Sequence, residues 1–124
     1  MWLFLSVSLG AVAGAWARYG MTMLIQTVAG HRFPWATLVI NVLGSFLMGF
    51  LFFETLERVV VSPELRAGLL TGGLGAFTTF STFTMESLLL AEDGRLAAAL
   101  AYVTLSVVIG FSAAFAGAYL SRKL

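Results

Sequence analysis

The chain has 124 residues, of which 60% are hydrophobic and only 10% are charged, and its formal net charge is +1. A soluble domain is usually about 25% charged, so this composition predicts a single integral membrane domain over residues 1–124 and implies no nucleic-acid partner. Cysteine is absent, which excludes disulfides, and a lone histidine excludes a histidine-rich metal site. Without a nucleophile–base pair or a metal-ligand cluster, we expect the protein not to be an enzyme.

Four apolar stretches are long enough to cross a bilayer, which takes about 20 residues in a helix. They predict an all-α protein with transmembrane helices over about residues 2–29, 33–53, 63–88 and 95–121. Basic residues fall almost evenly on the two sides, with Arg58, Arg66, Arg122 and Lys123 on one and Arg18, Arg32 and Arg95 on the other. Because a basic excess normally fixes orientation, either one loop charge decides it or copies insert both ways and pair as an antiparallel, dual-topology homodimer.

The first helix combines small residues with a charge inside the predicted span. An arginine within a span is expensive, so Arg18 should either face a water-filled vestibule that attracts anions or extend its side chain to the interface. Pairs of small residues four apart offer surfaces for close helix contact, within one subunit or between two. These pairs are Gly10 with Gly14, Gly68 with Gly72, and Ala113 with Gly117.

The second helix has a clear start and a polar side chain within the membrane. Pro34 suits its first turn, and Asn41 follows about two turns later. A membrane asparagine offers two donors and one acceptor, which suit either a pore or hydrogen bonds between helices. Further along, Ser62 and Pro63 predict the cap and first residue of the third helix.

The third helix contains an uncharged run of glycine, threonine and phenylalanine from Gly68 to Phe83. Its glycines weaken the helix, and threonines can bond carbonyls one turn back and bend it, so we predict a break between Gly72 and Thr78. Opening there would free the carbonyls of Gly75 and Thr78, and unwound carbonyls at membrane depth are a known kind of sodium ligand. Alternatively, the glycines only allow another helix to cross closely.

Two aromatic rings follow the predicted break. Phe80 and Phe83 are three residues apart and share a helix face, which suits either a pore wall or ordinary contact with lipid or core. Glu86 lies one turn after Thr82 and either lines a vestibule or marks the interface.

A polar stripe is predicted on the fourth helix. Tyr102 and Ser106 are four residues apart, and Gly110 comes next on the same face. Two hydroxyls make a weak signal, because a serine commonly bonds its own helix.

Three segments resemble the Fluc (CrcB) family of bacterial fluoride channels: residues 10–19 (GAVAGAWARY), 41–45 (NVLGS) and 72–83 (GGLGAFTTFSTF). They cover three of the four predicted helices in the order of that family. The resemblance implies a fluoride-selective channel in the bacterial inner membrane that lets fluoride leave the cell and lowers its toxicity. It also implies an antiparallel dual-topology homodimer with a third helix broken near its middle.

The resemblance also implies roles for particular residues. A structural, non-transported sodium ion at the dimer centre would be held by the carbonyls of Gly75 and Thr78, with Arg18 and Glu86 in the vestibule. The implied fluoride pore comprises Asn41, Phe80, Ser81, Thr82, Phe83, Tyr102 and Ser106. Aromatic rings have positive edges, so the two phenylalanines could meet an anion edge-on. Gly110 brings no hydroxyl to the polar stripe.

Two other functions fit parts of the pattern. A small four-helix, proton-coupled multidrug exporter has similar length and topology but needs a membrane carboxylate, for which Glu86 is the one candidate within a span. A passive subunit of a larger membrane complex would explain the packing glycines, but it leaves Asn41 and the threonine–phenylalanine run without a purpose.

Overall fold

A computed structural model describes all 124 residues and is entirely helical. Its α-helices are α1 (Trp2–Ala29), α2 (Trp35–Phe53), α3 (Pro63–Ala67), α4 (Gly75–Phe77), α5 (Phe80–Glu92) and α6 (Leu96–Lys123). A first π-helical segment, Glu54–Arg58, extends α2, and a second, Gly68–Leu74, joins α3 to α4. The chain therefore forms four rods, and the third comprises residues 63–92.

The ends of these rods follow from local sequence. The Ser62 hydroxyl accepts a hydrogen bond from the Leu65 N–H at 3.1 Å, and Pro63 occupies the first turn of α3, so this predicted helix start is confirmed. Gly30 and Gly94 both have a φ of 76° and lie in the turns that follow α1 and α5. That backbone conformation favours glycine because it has no Cβ.

The third rod is interrupted by extended backbone at two threonines. Thr78 has φ −84° and ψ 159°, and Thr79 has φ −150° and ψ 121°. The preceding glycine run does not open; residues Gly68–Leu74 stay wound as a π-helix. The Thr79 hydroxyl then accepts a hydrogen bond from the Thr82 N–H at 3.3 Å and caps the start of α5.

Close packing of α1 explains why the glycine run stays helical. A Cβ on Gly14 would lie 2.1 Å from the Gly73 carbonyl oxygen, and one on Gly72 would lie 2.4 Å from that of Val7. Between α6 and α2, a Cβ on Gly117 would lie 2.1 Å from the Phe46 carbonyl oxygen. The small-residue faces are thus used for packing within one subunit, which is one of the two predicted alternatives.

The surface is far more apolar than that of a soluble domain. Only 18 of 124 residues are buried, while large apolar side chains such as Trp16 and Phe115 are 78% and 73% exposed. Two helices are long and apolar enough to cross a membrane, the 24-residue Trp35–Arg58 and the 28-residue Leu96–Lys123. Such a surface suits lipid rather than water, which indicates a membrane protein.

Candidate functional site

The extended backbone of Thr79 is held by two hydrogen bonds from the side chain of Asn41. The Thr79 N–H donates to Asn41 Oδ1 at 2.8 Å, and Asn41 Nδ2 donates to the Thr79 carbonyl at 3.0 Å. Asn41 thereby replaces the backbone partners that Thr79 would have in a continuous helix. The pairing joins α2 to the third rod, which is the interhelical role predicted for this residue, and it leaves one amide hydrogen of Nδ2 unused.

A second side chain reaches the same interruption from α1. Arg18 Nε donates a hydrogen bond to the Ala76 carbonyl at 3.1 Å, 58 positions further along the chain. The Thr78 N–H and hydroxyl both donate to the Leu74 carbonyl, at 3.0 and 2.9 Å. Arg18 therefore donates to a backbone carbonyl of the third rod, a role that neither sequence hypothesis for this residue included.

These hydrogen bonds leave particular carbonyls unused. The Thr79 N–H, which would bond the Gly75 carbonyl in a continuous helix, is taken by Asn41, and the Thr82 N–H is taken by the Thr79 hydroxyl. The carbonyls of Gly75 and Thr78 consequently have no hydrogen-bond donor. Carbonyl oxygens are the kind of ligand that hard cations prefer, so the chemistry of these two groups is compatible with a cation.

A cavity of about 410 Å³ opens beside the interruption. Asn41, Thr78, Phe80, Phe83 and Ser106 are among its lining residues, so the structure brings together predicted residues from three rods. The Ser106 hydroxyl is buried and has no hydrogen-bond partner. Most buried polar atoms in proteins are paired, so this free hydroxyl is available to form a hydrogen bond with a polar ligand in the cavity.

Aromatic rings continue from the cavity towards one end of the molecule. The ring centroids of Phe80 and Phe83 are 5.9 Å apart with an interplanar angle of 53°. Phe83 meets Tyr102 at 5.1 Å and 64°, and Tyr102 meets Phe33 at 5.6 Å and 80°. These tilted and edge-on contacts link the four rings in a single row.

Tyr102 lies between this cavity and a second one. Its side chain is fully buried, and its hydroxyl donates to Glu86 Oε1 at 3.3 Å. Glu86 in turn lines a cavity of about 380 Å³ at the end of the molecule formed by the two turns, together with Arg32, Asp93 and Arg95. We call this second space the mouth cavity. The Tyr102–Glu86 pair therefore connects the aromatic row to a charged opening.

Other predicted residues lie beside the first cavity without lining it. Ser81 and Thr82 are in the first turn of α5, outside the set of lining residues, and the Ser81 side chain is exposed. Gly110 lines a smaller cavity of about 260 Å³ with Ser45 and Ser106. The polar stripe of α6 therefore continues into open space at Gly110, where Ser45 supplies a hydroxyl from α2.

Sequence reasoning missed several lining residues of the 410 Å³ cavity, including Thr79, Gly44, Ser45 and Met48. Three of them follow Asn41 on α2 at spacings of three, four and seven residues, which places them on one helix face. A Cβ on Gly44 would lie 2.2 Å from Thr78 Cγ2, so this glycine admits the extended threonine. Extending the helical spacing from Asn41 would have found these positions.

The fold and the site together define a small helical membrane protein with a polar cavity at an interrupted helix. Residues 5–118 match the family model described as CrcB-like protein, Camphor Resistance (CrcB). The chain belongs to this family.

Three curated relatives match along nearly their whole length. A protein of Acidithiobacillus ferrooxidans is 64% identical over 117 residues, covering 94% of each chain. One from Solidesulfovibrio magneticus is 47% identical, covering 95% of this chain and 94% of its own. One from Rhizobium meliloti is 42% identical, covering 97% and 96%. Each of these relatives is named fluoride-specific ion channel FluC.

Proposed function

We infer that this protein is a fluoride-specific ion channel. Relatives that match this chain along nearly their whole length have that name. Residues 5–118 also match the family model. The single observation that favours the function most is the cavity that joins Asn41, Phe80, Phe83 and the unpaired hydroxyl of Ser106. Passive flow down the concentration gradient lets fluoride leave the cell and lowers its toxicity.

The proposed path for fluoride runs from this cavity along the aromatic row. A small anion loses water there and needs replacement donors, which the free amide hydrogen of Asn41 and the Ser106 hydroxyl can supply. The ring edges of Phe80 and Phe83 add weaker positive charge, and Tyr102 extends the row. Selectivity in such a pore depends on its width and its donors, so larger halides are excluded by narrowness.

Ser81 and Thr82 do not line the cavity of a single chain. We propose that their hydroxyls contribute to the same path in the dimer. Phe80 is 77% exposed on the isolated chain, and Ser81 is exposed beside it. An exposed ring next to an exposed serine suits a surface that a second copy covers. We therefore propose an antiparallel, dual-topology homodimer of four spans per chain, in which the third span is broken at Thr78 and Thr79 and the path lies against the partner.

We also propose a structural sodium ion at the dimer centre, held by carbonyl oxygens at the interruption of the third rod. The carbonyls of Gly75 and Thr78 are free of hydrogen-bond donors, and Gly75 is exposed on the isolated chain. Two copies would thus contribute four oxygens. When bound, sodium supplies a fixed charge that offsets the carbonyl dipoles. Arg18 and Asn41 hold the backbone from which these carbonyls project.

Reconstitution into liposomes tests the proposal. We expect rapid fluoride efflux when a potassium ionophore balances charge, and far slower chloride efflux under the same gradient. Equal efflux of both halides would refute fluoride selectivity. Replacing sodium with a large organic cation on both sides should abolish efflux if the ion is structural, and efflux that ignores sodium would remove the proposed cation site but leave the channel.

The ring pair has a separate test. Phe80→Ile and Phe83→Ile retain apolar volume but lose the positive ring edges, so each should reduce fluoride efflux strongly while the protein still purifies as a dimer. Unchanged efflux in both variants would exclude the rings from the path. The expected cellular location is the bacterial inner membrane, which fractionation of cells that express a tagged chain would check.

A further inference from the structure

Two cavities meet at a pair of serines from different helices. The cavity of about 410 Å³ beside the interruption and the cavity of about 260 Å³ next to Gly110 are both lined by Ser45 of α2 and Ser106 of α6. The smaller cavity is therefore a continuation of the larger one. Its remaining lining residues have no hydroxyl or amide side chain; they are Val107, Gly110, Phe111 and Ala114. The two serines are thus its only side-chain hydrogen-bond donors.

Ser45 lies where the polar stripe of α6 loses its hydroxyl. A Cβ on Gly110 would lie 3.9 Å from Ser45 Oγ, and no other heavy atom outside its own helix lies within 4 Å of it. The helices α2 and α6 begin at the same end of the molecule and run in the same direction. The step from Asn41 to Ser45 and the step from Ser106 to Gly110 each cover one helical turn, about 6 Å. Ser45 therefore brings a hydroxyl to the depth at which α6 has none.

The hydroxyl of Ser45 is free to bind a ligand. Other helical serines donate to the carbonyl one turn back, as Ser87 and Ser112 do at 2.8 and 2.7 Å. Ser45 makes no such bond, since the hydrogen bonds of Asn41 that involve a side chain are those with Thr79. The Ser106 hydroxyl is also unpaired. Two free hydroxyls that line one space can both donate to the same ligand.

We propose that Ser45 is an anion-binding residue of the fluoride path, which together with Ser106 holds fluoride between α2 and α6. The inference rests on the proposed channel function and adds to it a donor one turn beyond Asn41. A small anion that leaves water needs replacement donors, and selectivity in a pore depends on them. The apolar groups around the smaller cavity supply no O–H or N–H from their side chains, so Ser45 is the residue that extends the path past Ser106.

The open space at Gly110 allows this hydroxyl to be moved from one helix to the other. A serine at position 110 would place its side chain in the same cavity, because the only nearby atom is Ser45 Oγ itself. When Ser45 is shortened to alanine, that atom is gone and the new side chain has more room. The position of the hydroxyl can therefore be tested separately from the volume of the side chain.

Fluoride efflux from liposomes, with sodium present and a potassium ionophore to balance charge, is the measurement. Ser45→Ala should lower the efflux rate by about tenfold or more, as expected for the loss of one hydrogen bond to a charged group. Adding Gly110→Ser to that variant should restore most of the rate. Adding Gly110→Ala should not, although alanine fills the same space and favours the helix. Ser112→Ala should match wild type, because its hydroxyl bonds its own helix outside both cavities.

A second loss variant and a check of assembly keep the test independent of folding. Ser45→Cys keeps the side-chain shape but has a weak donor, so its efflux rate should fall as that of Ser45→Ala does. Rates are compared among variants that elute with wild type in size-exclusion chromatography.

Three results would overturn the proposal, and they have different meanings. Wild-type efflux in Ser45→Ala or Ser45→Cys would show that this hydroxyl does not serve the path, while the channel function stands. Equal recovery with Gly110→Ser and Gly110→Ala would assign the loss to side-chain volume or helix stability. If the wild-type protein released no fluoride, the channel function itself would fail, and this failure is distinguishable from the other two.

Discussion

The two hydrogen bonds between Asn41 and Thr79 lead to a prediction about stability as well as conduction. Asn41→Leu keeps approximate side-chain size but removes both the acceptor at 2.8 Å and the donor at 3.0 Å. The Thr79 N–H and carbonyl would then be left without partners beside an apolar side chain. Each unsatisfied group costs about 1–3 kcal/mol, so the variant should lose about 2–6 kcal/mol of unfolding free energy.

This loss is large relative to the whole. Native proteins are commonly stable by about 5–15 kcal/mol, so Asn41→Leu should unfold at clearly lower denaturant than wild type. The measurement is the unfolding free energy from a denaturant titration in mixed detergent micelles, with the helical circular dichroism signal as the readout. Fluoride efflux is measured in parallel on protein that still purifies as a dimer.

Ser106→Ala is the matched control in the same cavity. The Ser106 hydroxyl has no hydrogen-bond partner, so its removal should change stability by less than about 0.5 kcal/mol. Fluoride efflux should nevertheless fall, because the path loses a donor. If Asn41→Leu unfolds within about 0.5 kcal/mol of wild type, the hydrogen bonds to Thr79 do not hold the interruption, and our account of Asn41 is wrong.

Two further predictions concern packing and a buried polar contact. Gly14→Ala should destabilise the protein by about 1–3 kcal/mol, because its Cβ would lie 2.1 Å from the Gly73 carbonyl oxygen. The control Gly20→Ala, whose Cβ would have no atom within 4 Å, should be neutral or stabilising. Equal stabilities of the two variants would contradict the close contact at Gly14. Ser121→Ala removes the 2.8 Å hydrogen bond to Glu54 and should cost about 1–3 kcal/mol, and a thermal unfolding midpoint equal to wild type would show that this contact contributes nothing.

Sequence alone predicted the helical class and the start of the third rod at Ser62 and Pro63, because composition and capping are local properties. It predicted a break between Gly72 and Thr78, but the glycines stay helical and extended backbone occurs at Thr78 and Thr79. The difference arises from α1, which presses against the glycine run along its backbone. Such contacts join residues far apart in the chain, and local propensity contains no information about them.

The candidate site was predicted to a similar extent. Asn41, Phe80, Phe83 and Ser106 do line one cavity, and their role in a fluoride path stays a prediction. Arg18 was expected in a vestibule or at the interface, and its hydrogen bond to a backbone carbonyl in the third rod was not foreseen. An arginine inside an apolar stretch is compatible with a vestibule, an interface or a backbone carbonyl as its partner, and only the tertiary arrangement selects among these three.

The interruption of the third rod also bears on how the chain enters the membrane during synthesis. The Ala76 carbonyl and the backbone groups of Thr79 are paired with Arg18 and Asn41, and both partners precede the interruption in the sequence. When residues 63–92 leave the ribosome, the side chains that will pair with Ala76 and Thr79 have already been made. Unpaired backbone groups are costly in lipid, so this order lets the groups of Ala76 and Thr79 pair without waiting for a later part of the chain. The same contacts would come too late in a chain permuted to begin at the third rod.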